Sequence, residues 1–141
     1  PDPLVTINPK TAEKYGIKDG DFVCIENPLG KCVERARVSN EVSERVIHAE
    51  HGWWYPEDDP EYPDLYGVWK SNINRLIPMY KVGVTGYGAP YKNVLAKIYK
   101  VDGYDAAKEI PESYVPRESR GPESMTNGAP QPMSYESIHQ D

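Results

Sequence analysis

Two short alternating runs, Phe22 to Glu26 and Lys31 to Val38, flank the tetrapeptide Asn27-Pro28-Leu29-Gly30. Asn, Pro and Gly are turn formers, and alternation with a period of two marks a strand that buries one face. Together they predict a β-hairpin with Val23, Ile25, Ala36 and Val38 on its inner face. The same register bears on the cysteines, of which the chain has 2. With a two-residue loop, Ile25 faces Cys32 and Cys24 faces Val33. Directly opposed side chains share a face, so Cys24 and Cys32 point to opposite faces. A disulfide needs converging Cβ vectors, so two free thiols are expected. Their spacing also matches no common metal motif.

The surrounding chain reads as more short elements. Val5 and Ile7 alternate as a strand before Asn8-Pro9-Lys10-Thr11, where Asn8 is expected to cap a helix and Pro9 to occupy its first position. That helix runs to about Tyr15 and stops at Gly16. Lys18-Asp19-Gly20-Asp21 is a tight turn. Val46-Ile47 is a further strand. Gly52 to Pro78 reads as a long, aromatic, non-periodic loop holding Trp53, Trp54 and Trp69. Long loops in compact domains are functional or disordered, and this aromatic content argues against disorder. Val82 to Gly88 is a glycine-rich loop, and Asn93 to Val101 is a closing strand. A weak helix is expected near Ala106-Ala107-Lys108. Beyond Ile110 the chain is rich in Pro, Ser, Glu and Gly and has no hydrophobic period. The domain reading is therefore 1–101 as body and 102–141 as an acidic, Pro-rich tail, extended or disordered in isolation. Several short strands, one short helix and wide loops make a closed β-barrel the natural architecture.

Charge excludes one class of partner. The net charge is −6. Residues 102–141 carry 8 acids and 3 bases, so the acidity belongs to the tail and the body is nearly neutral. Neither part offers the basic stripe of a duplex nucleic-acid binder. No apolar run approaches the roughly 18 residues of a membrane span. The chain opens on Pro1 with no visible signal peptide, which reads as a fragment of a longer polypeptide. It gives no location in cytoplasm or periplasm for the parent protein.

Four segments, in order, carry a family likeness. The first is Ile7-Asn8-Pro9-x-Thr11-Ala12 with Ile17-Lys18-Asp19-Gly20-Asp21-x-Val23. The second is the hairpin with Gly30 in its turn. The third is His51-Gly52-Trp53-Trp54, followed by Ser71-Asn72-Ile73-Asn74-x-Leu76. The fourth is Pro90-Tyr91-Lys92 leading into Val94 to Val101. The set resembles the C-terminal molybdopterin-dinucleotide-binding domain of the dimethyl sulfoxide reductase family, over about Leu4 to Val101. The resemblance implies an all-β fold with minor α, a double-psi β-barrel of the aspartate-decarboxylase type. It implies bis-molybdopterin guanine dinucleotide with Mo or W as ligand, and a metal ligand supplied by another domain. The implied partners are the remaining domains of the same catalytic subunit and an iron–sulfur electron-transfer subunit. The chain alone is then expected to be inactive.

Such a ligand is large, polyanionic and flat at both ends. Asn74 can both donate and accept, matching the mixed edge of a pterin or guanine, and the Asn-x-Leu pattern points to the same residue. The competing reading is an Asn that caps local backbone. Asn72 is the second amide candidate. Lys92 fits the cation role toward the diphosphate, against the ordinary reading of a solvated lysine at a strand start. Tyr91 packs against the barrel or the ligand. Gly52 lets backbone approach a ligand closely. His51 can donate to a pterin edge or a diphosphate oxygen; otherwise it is a polar residue at a barrel rim. No third ligand accompanies His48 and His51, so no metal site is expected there. Trp53 and Trp54 face opposite ways in extended chain, one packing in the barrel or on other domains, the other shaping a substrate funnel. Trp69 and the neighbouring tyrosines are expected to face the rest of the enzyme. Glu57-Asp58-Asp59, bracketed by Pro56 and Pro60, reads as a solvated acidic loop.

Two other classes compete. A non-catalytic double-psi barrel, of the AAA-ATPase substrate-domain type or with a glycan-binding face, would use the aromatic loop for recognition. The Asn-x-Leu and Pro-Tyr-Lys pair argues against it. A self-processing pyruvoyl decarboxylase of similar barrel fold needs a Gly-Ser near the amino end, which this chain lacks.

Overall fold

The computed structural model describes residues 2–78 and 94–109. The expected hairpin forms between β2 (Phe22–Asn27) and β3 (Gly30–Val38). Its register pairs Cys24 with Val33 and Ile25 with Cys32, as the two-residue turn requires. β3 also pairs in parallel with β1 (Leu4–Ile7), whose other edge takes the antiparallel β4 (Ile47–Ala49). β5 (Lys97–Val101) lies antiparallel along β2. The result is one mixed sheet of order β4-β1-β3-β2-β5. The structure is thus mostly β with a few short helices. Among the described residues the sheet is not closed into a barrel.

Between β1 and β2 lies α1 (Pro9–Lys14). The Asn8 carboxamide oxygen accepts from Lys10 N–H at 3.0 Å, so the cap works as the sequence indicates. Ala12 and Ile17 carry this segment into the main core, where they meet Val5, Ile7, Val23, Ile25, Cys32, Ala36, Leu76 and Ile98. Val38 and Ile47 close its margin. The opposite face of the sheet is buried too: Cys24 and Val33 pack with Ala107, and Phe22, Val101 and Tyr104 flank them. The two cysteines are both buried, both free and on opposite faces.

Three readings from the sequence need correction. The closing strand begins at Lys97 rather than Asn93, because its partner β2 ends at the Asn27 turn and offers no edge beyond Glu26. The aromatic stretch is not loop throughout: it contains α2 (Val68–Ser71) and a 3₁₀ turn (Ile73–Leu76). The folded unit also runs past Val101 to Glu109. A second 3₁₀ turn, Tyr104–Ala107, lays Ala107 fully buried on the sheet and sets Tyr104 edge-on to Phe22. The glycine-rich loop, Tyr91, Lys92 and residues 110–141 lie outside the described residues.

Candidate cofactor-binding rim

Strand direction gathers the candidate segments at one end of the sheet. β1 and β3 begin there, β2 and β4 end there, and β5 begins there. His51-Gly52 follows β4 at that end, the Asn27–Gly30 turn stands there, and Val94–Ala96 enter β5 from it. The 3₁₀ turn bearing Asn74 is tied to the same place. The Asn27 amide donates to the Leu76 carbonyl at 2.8 Å, and a Cβ on Gly30 would sit 3.5 Å from the Arg75 carbonyl oxygen.

Within that turn the two asparagines do different jobs. The Asn72 side-chain oxygen accepts from Asn74 N–H at 3.0 Å. The local-cap reading therefore applies to Asn72, and only its NH₂ remains for a ligand. Asn74 is exposed, and its side chain makes no hydrogen bond to any described residue. Leu76, 1% exposed, anchors the turn in the core. The outcome is an amide held out from a fixed backbone, able to donate and accept in one plane.

His51 and Gly52 are both exposed. Gly52 has φ 73° and nothing within 4 Å of where a Cβ would stand, so its backbone is open to a close-approaching ligand. The described cations near the rim are already committed. Lys97 pairs with Glu26 at 3.0 Å and Lys31 with Glu109 at 2.9 Å. Among the described residues no group of three or more His, Cys, Asp or Glu side chains could hold a metal ion.

The tryptophans separate. Trp54 is 58% exposed and Trp53 half-buried. Trp69 does not face outward: it is 5% exposed, and its indole N–H donates to the Pro63 carbonyl at 3.0 Å. The reason is α2, which turns Trp69 back under its own loop. Nor is the acidic run simply solvated. Asp58 pairs with Lys70 at 2.5 Å beneath Gly67, and Asp59 accepts from Glu61 N–H. The Tyr55 hydroxyl bonds Ser71 Oγ at 2.7 Å, closing the loop on α2.

Two residues went unremarked in the sequence. Arg75 sends its guanidinium to three carbonyls. Glu34 lies fully buried on the inner face of β3 and accepts from Glu50 N–H at 3.2 Å, one residue before His51. The available signal for Glu34 was an acid at an inward position of the alternating pattern. Arg75 gave none, because its partners are backbone atoms.

With this geometry in view, the comparisons decide the family. A profile described as the Molydopterin dinucleotide binding domain matches residues 1–95. The chain belongs to this family. It is 43% identical over 101 residues to dopamine dehydroxylase of Eggerthella lenta, covering 71% of this chain and 10% of that protein. To the dimethyl sulfoxide/trimethylamine N-oxide reductase of Rhodobacter capsulatus it is 30% identical over 100 residues, covering 69% and 12%. The solved structure of acetylene hydratase from Pelobacter acetylenicus superposes with a TM-score of 0.65 at 26% identity, over 72% of this chain and 14% of that one. The chain thus spans about a tenth of the length of these curated relatives. It is a molybdopterin dinucleotide-binding domain of the dimethyl sulfoxide reductase family of molybdoenzymes. The rim suits such a group: an exposed amide with no hydrogen-bond partner among the described residues, an open glycine backbone and a solvent-facing imidazole stand at one end of the sheet. No helix among the described residues is long and apolar enough to cross a membrane.

Proposed function

We propose that this domain clasps bis-molybdopterin guanine dinucleotide within the catalytic subunit of a molybdenum or tungsten oxidoreductase, closing one side of the cofactor and of the substrate funnel. The observation that carries this reading is the Asn74 amide, held out on a fixed turn at the same end of the sheet as the open backbone of Gly52. When bound, the metal–dithiolene unit supplies the electron transfer. The chain's own residues bind and orient. Asn74, with the NH₂ of Asn72, hydrogen-bonds the edge of a heterocycle. Gly52 admits the ligand against the backbone, and His51 donates beside it. Lys92 neutralises diphosphate charge and Tyr91 packs next to it. Trp53 and Trp54 exclude water and meet the other domains.

The full barrel is part of the same proposal. A parallel β1–β3 pair inside an otherwise antiparallel sheet is consistent with a double-psi closure. The remaining domains of the subunit and an iron–sulfur subunit are the proposed partners. The test is Asn74→Ala and Lys92→Ala in the parent enzyme, with guanine nucleotide and metal counted per polypeptide. Both variants are expected to hold less of each. Unchanged contents in both would refute the assignment of these contacts.

A further inference from the structure

The arginine beside Asn74 joins segments that the binding function does not by itself explain. Arg75 Nη1 donates to the Trp69 carbonyl at 2.5 Å and to the Ala107 carbonyl at 2.7 Å, and Nη2 donates to the Glu109 carbonyl at 2.7 Å. One planar fork therefore joins three segments: the end of the aromatic loop, the 3₁₀ turn carrying Asn74, and the chain after β5. The guanidinium carbon stands 5.6 Å from the Trp69 ring centroid, within cation–π range. Burial disfavours the charge, but an arginine keeps it. The segment that receives the fork is itself fastened. Ala107 is fully buried, Tyr104 packs on Phe22 and Tyr55, Lys108 pairs with Asp64 at 3.0 Å, and Glu109 pairs with Lys31. Residues 104–109 lie beyond the part of the chain that the family profile matches.

We propose that Arg75 is the positioning residue for Asn74, and that it works by clamping the Asn74 turn to the Tyr104–Glu109 segment. The proposal rests on the reading that Asn74 contacts the cofactor. Arg75 is no second ligand group: two of its donors on Nη1 and one on Nη2 are spent on carbonyls, and its buried Nε has no described partner. It acts on the backbone. Asn72 holds Asn74 N–H from one side, Leu76 anchors the other, and the fork stops the turn from rotating about these two points. A lysine at this position keeps the charge. It cannot span three carbonyls in one plane, because its donors radiate from a single atom.

The experiment uses the full-length parent enzyme carrying Asn74→Ala, Arg75→Lys, Arg75→Ala and the double variant Asn74→Ala/Arg75→Ala. Two quantities are read: guanine nucleotide released per polypeptide over a titration of cofactor, and hydrogen-exchange protection. Both Arg75 variants are expected to weaken cofactor retention by about ten- to a hundredfold, the range seen when a group supporting a ligand contact is lost. The double variant is expected to lose no more than Asn74→Ala alone, because both changes disable one contact. Protection at residues 73–77 and 104–109 should fall together, while β1, β2 and β3 stay protected. If Arg75→Ala unfolds the sheet, Arg75→Lys alone decides by the same readouts. Full retention in Arg75→Lys, or additive losses in the double variant, would overturn the proposal while leaving the Asn74 reading intact. No effect of Asn74→Ala would instead remove that reading, and this proposal with it.

Discussion

Glu34→Gln is expected to stabilise the protein, and by an amount that grows with pH. Glu34 is 0% exposed, facing Val23 across the β2–β3 pair on the inner face of the sheet. One carboxylate oxygen accepts from Glu50 N–H, and the other has no described partner. Burial, with the Glu50 carboxylate adding to it, pushes the Glu34 carboxyl up to about 9. In the unfolded chain a glutamate titrates near ~4.3. Between those values the folded protein keeps a proton that the unfolded chain releases. Stability from this group is therefore fully present below the unfolded value, and falls as pH rises until the folded value is passed. The slope is about 1.4 kcal/mol per pH unit. Glutamine has the same shape and no such linkage. The advantage of Glu34→Gln should thus grow from about 1 kcal/mol at pH 5 to about 5 kcal/mol at pH 8, and level off only above the folded value. Urea unfolding of both proteins at the two pH values measures it, provided their m-values agree. A stability difference independent of pH, or one that shrinks as pH rises, would refute the reasoning.

Gly67→Ala should cost about 1–3 kcal/mol in thermal unfolding, the usual penalty for a side chain in the left-handed region. Gly67 has φ 62°, and a Cβ there would stand 2.3 Å from the Asp58 carboxylate that holds Lys70. An unchanged melting temperature would show that Asp58 and the loop move aside without cost. Cys24 and Cys32 should both resist Ellman's reagent in the native protein and both react after denaturation. Each is 0% exposed, and burial pushes both thiols up, away from the reactive thiolate. One thiol titrating natively would show that a face of the sheet opens.

The sequence was informative where backbone chemistry is local. The Asn27-Pro28-Leu29-Gly30 turn set the pairing of Cys24 with Val33, and with it the separation of the two thiols. The Asn8 cap and Pro9 placed α1. The stretch from Trp53 to Leu76 was not legible, because its order comes from contacts that carry no period. Trp69 is buried against Pro63, Asp58 lies under Gly67, and Tyr55 meets Ser71 across the loop. Tail composition hid a similar case, since Ala107 is buried by the outer face of a sheet formed far earlier in the chain. For the candidate rim, the Asn-x-Leu and His-Gly pairs were visible as residues. Their assembly at one end of the sheet needed the strand directions, and the division of labour between Asn72 and Asn74 needed the geometry of the turn.

The central claim is that the dinucleotide lies at the end of the sheet where β2 and β4 finish. A cryo-electron microscopy map of the parent enzyme with its cofactor tests this directly. The expected result puts a heterocycle edge within about 2.7–3.2 Å of the Asn74 amide, with the ligand against the Gly52 backbone. A dinucleotide bound at the opposite end, beside Asn8, Asp21 and Ser39, would contradict the account.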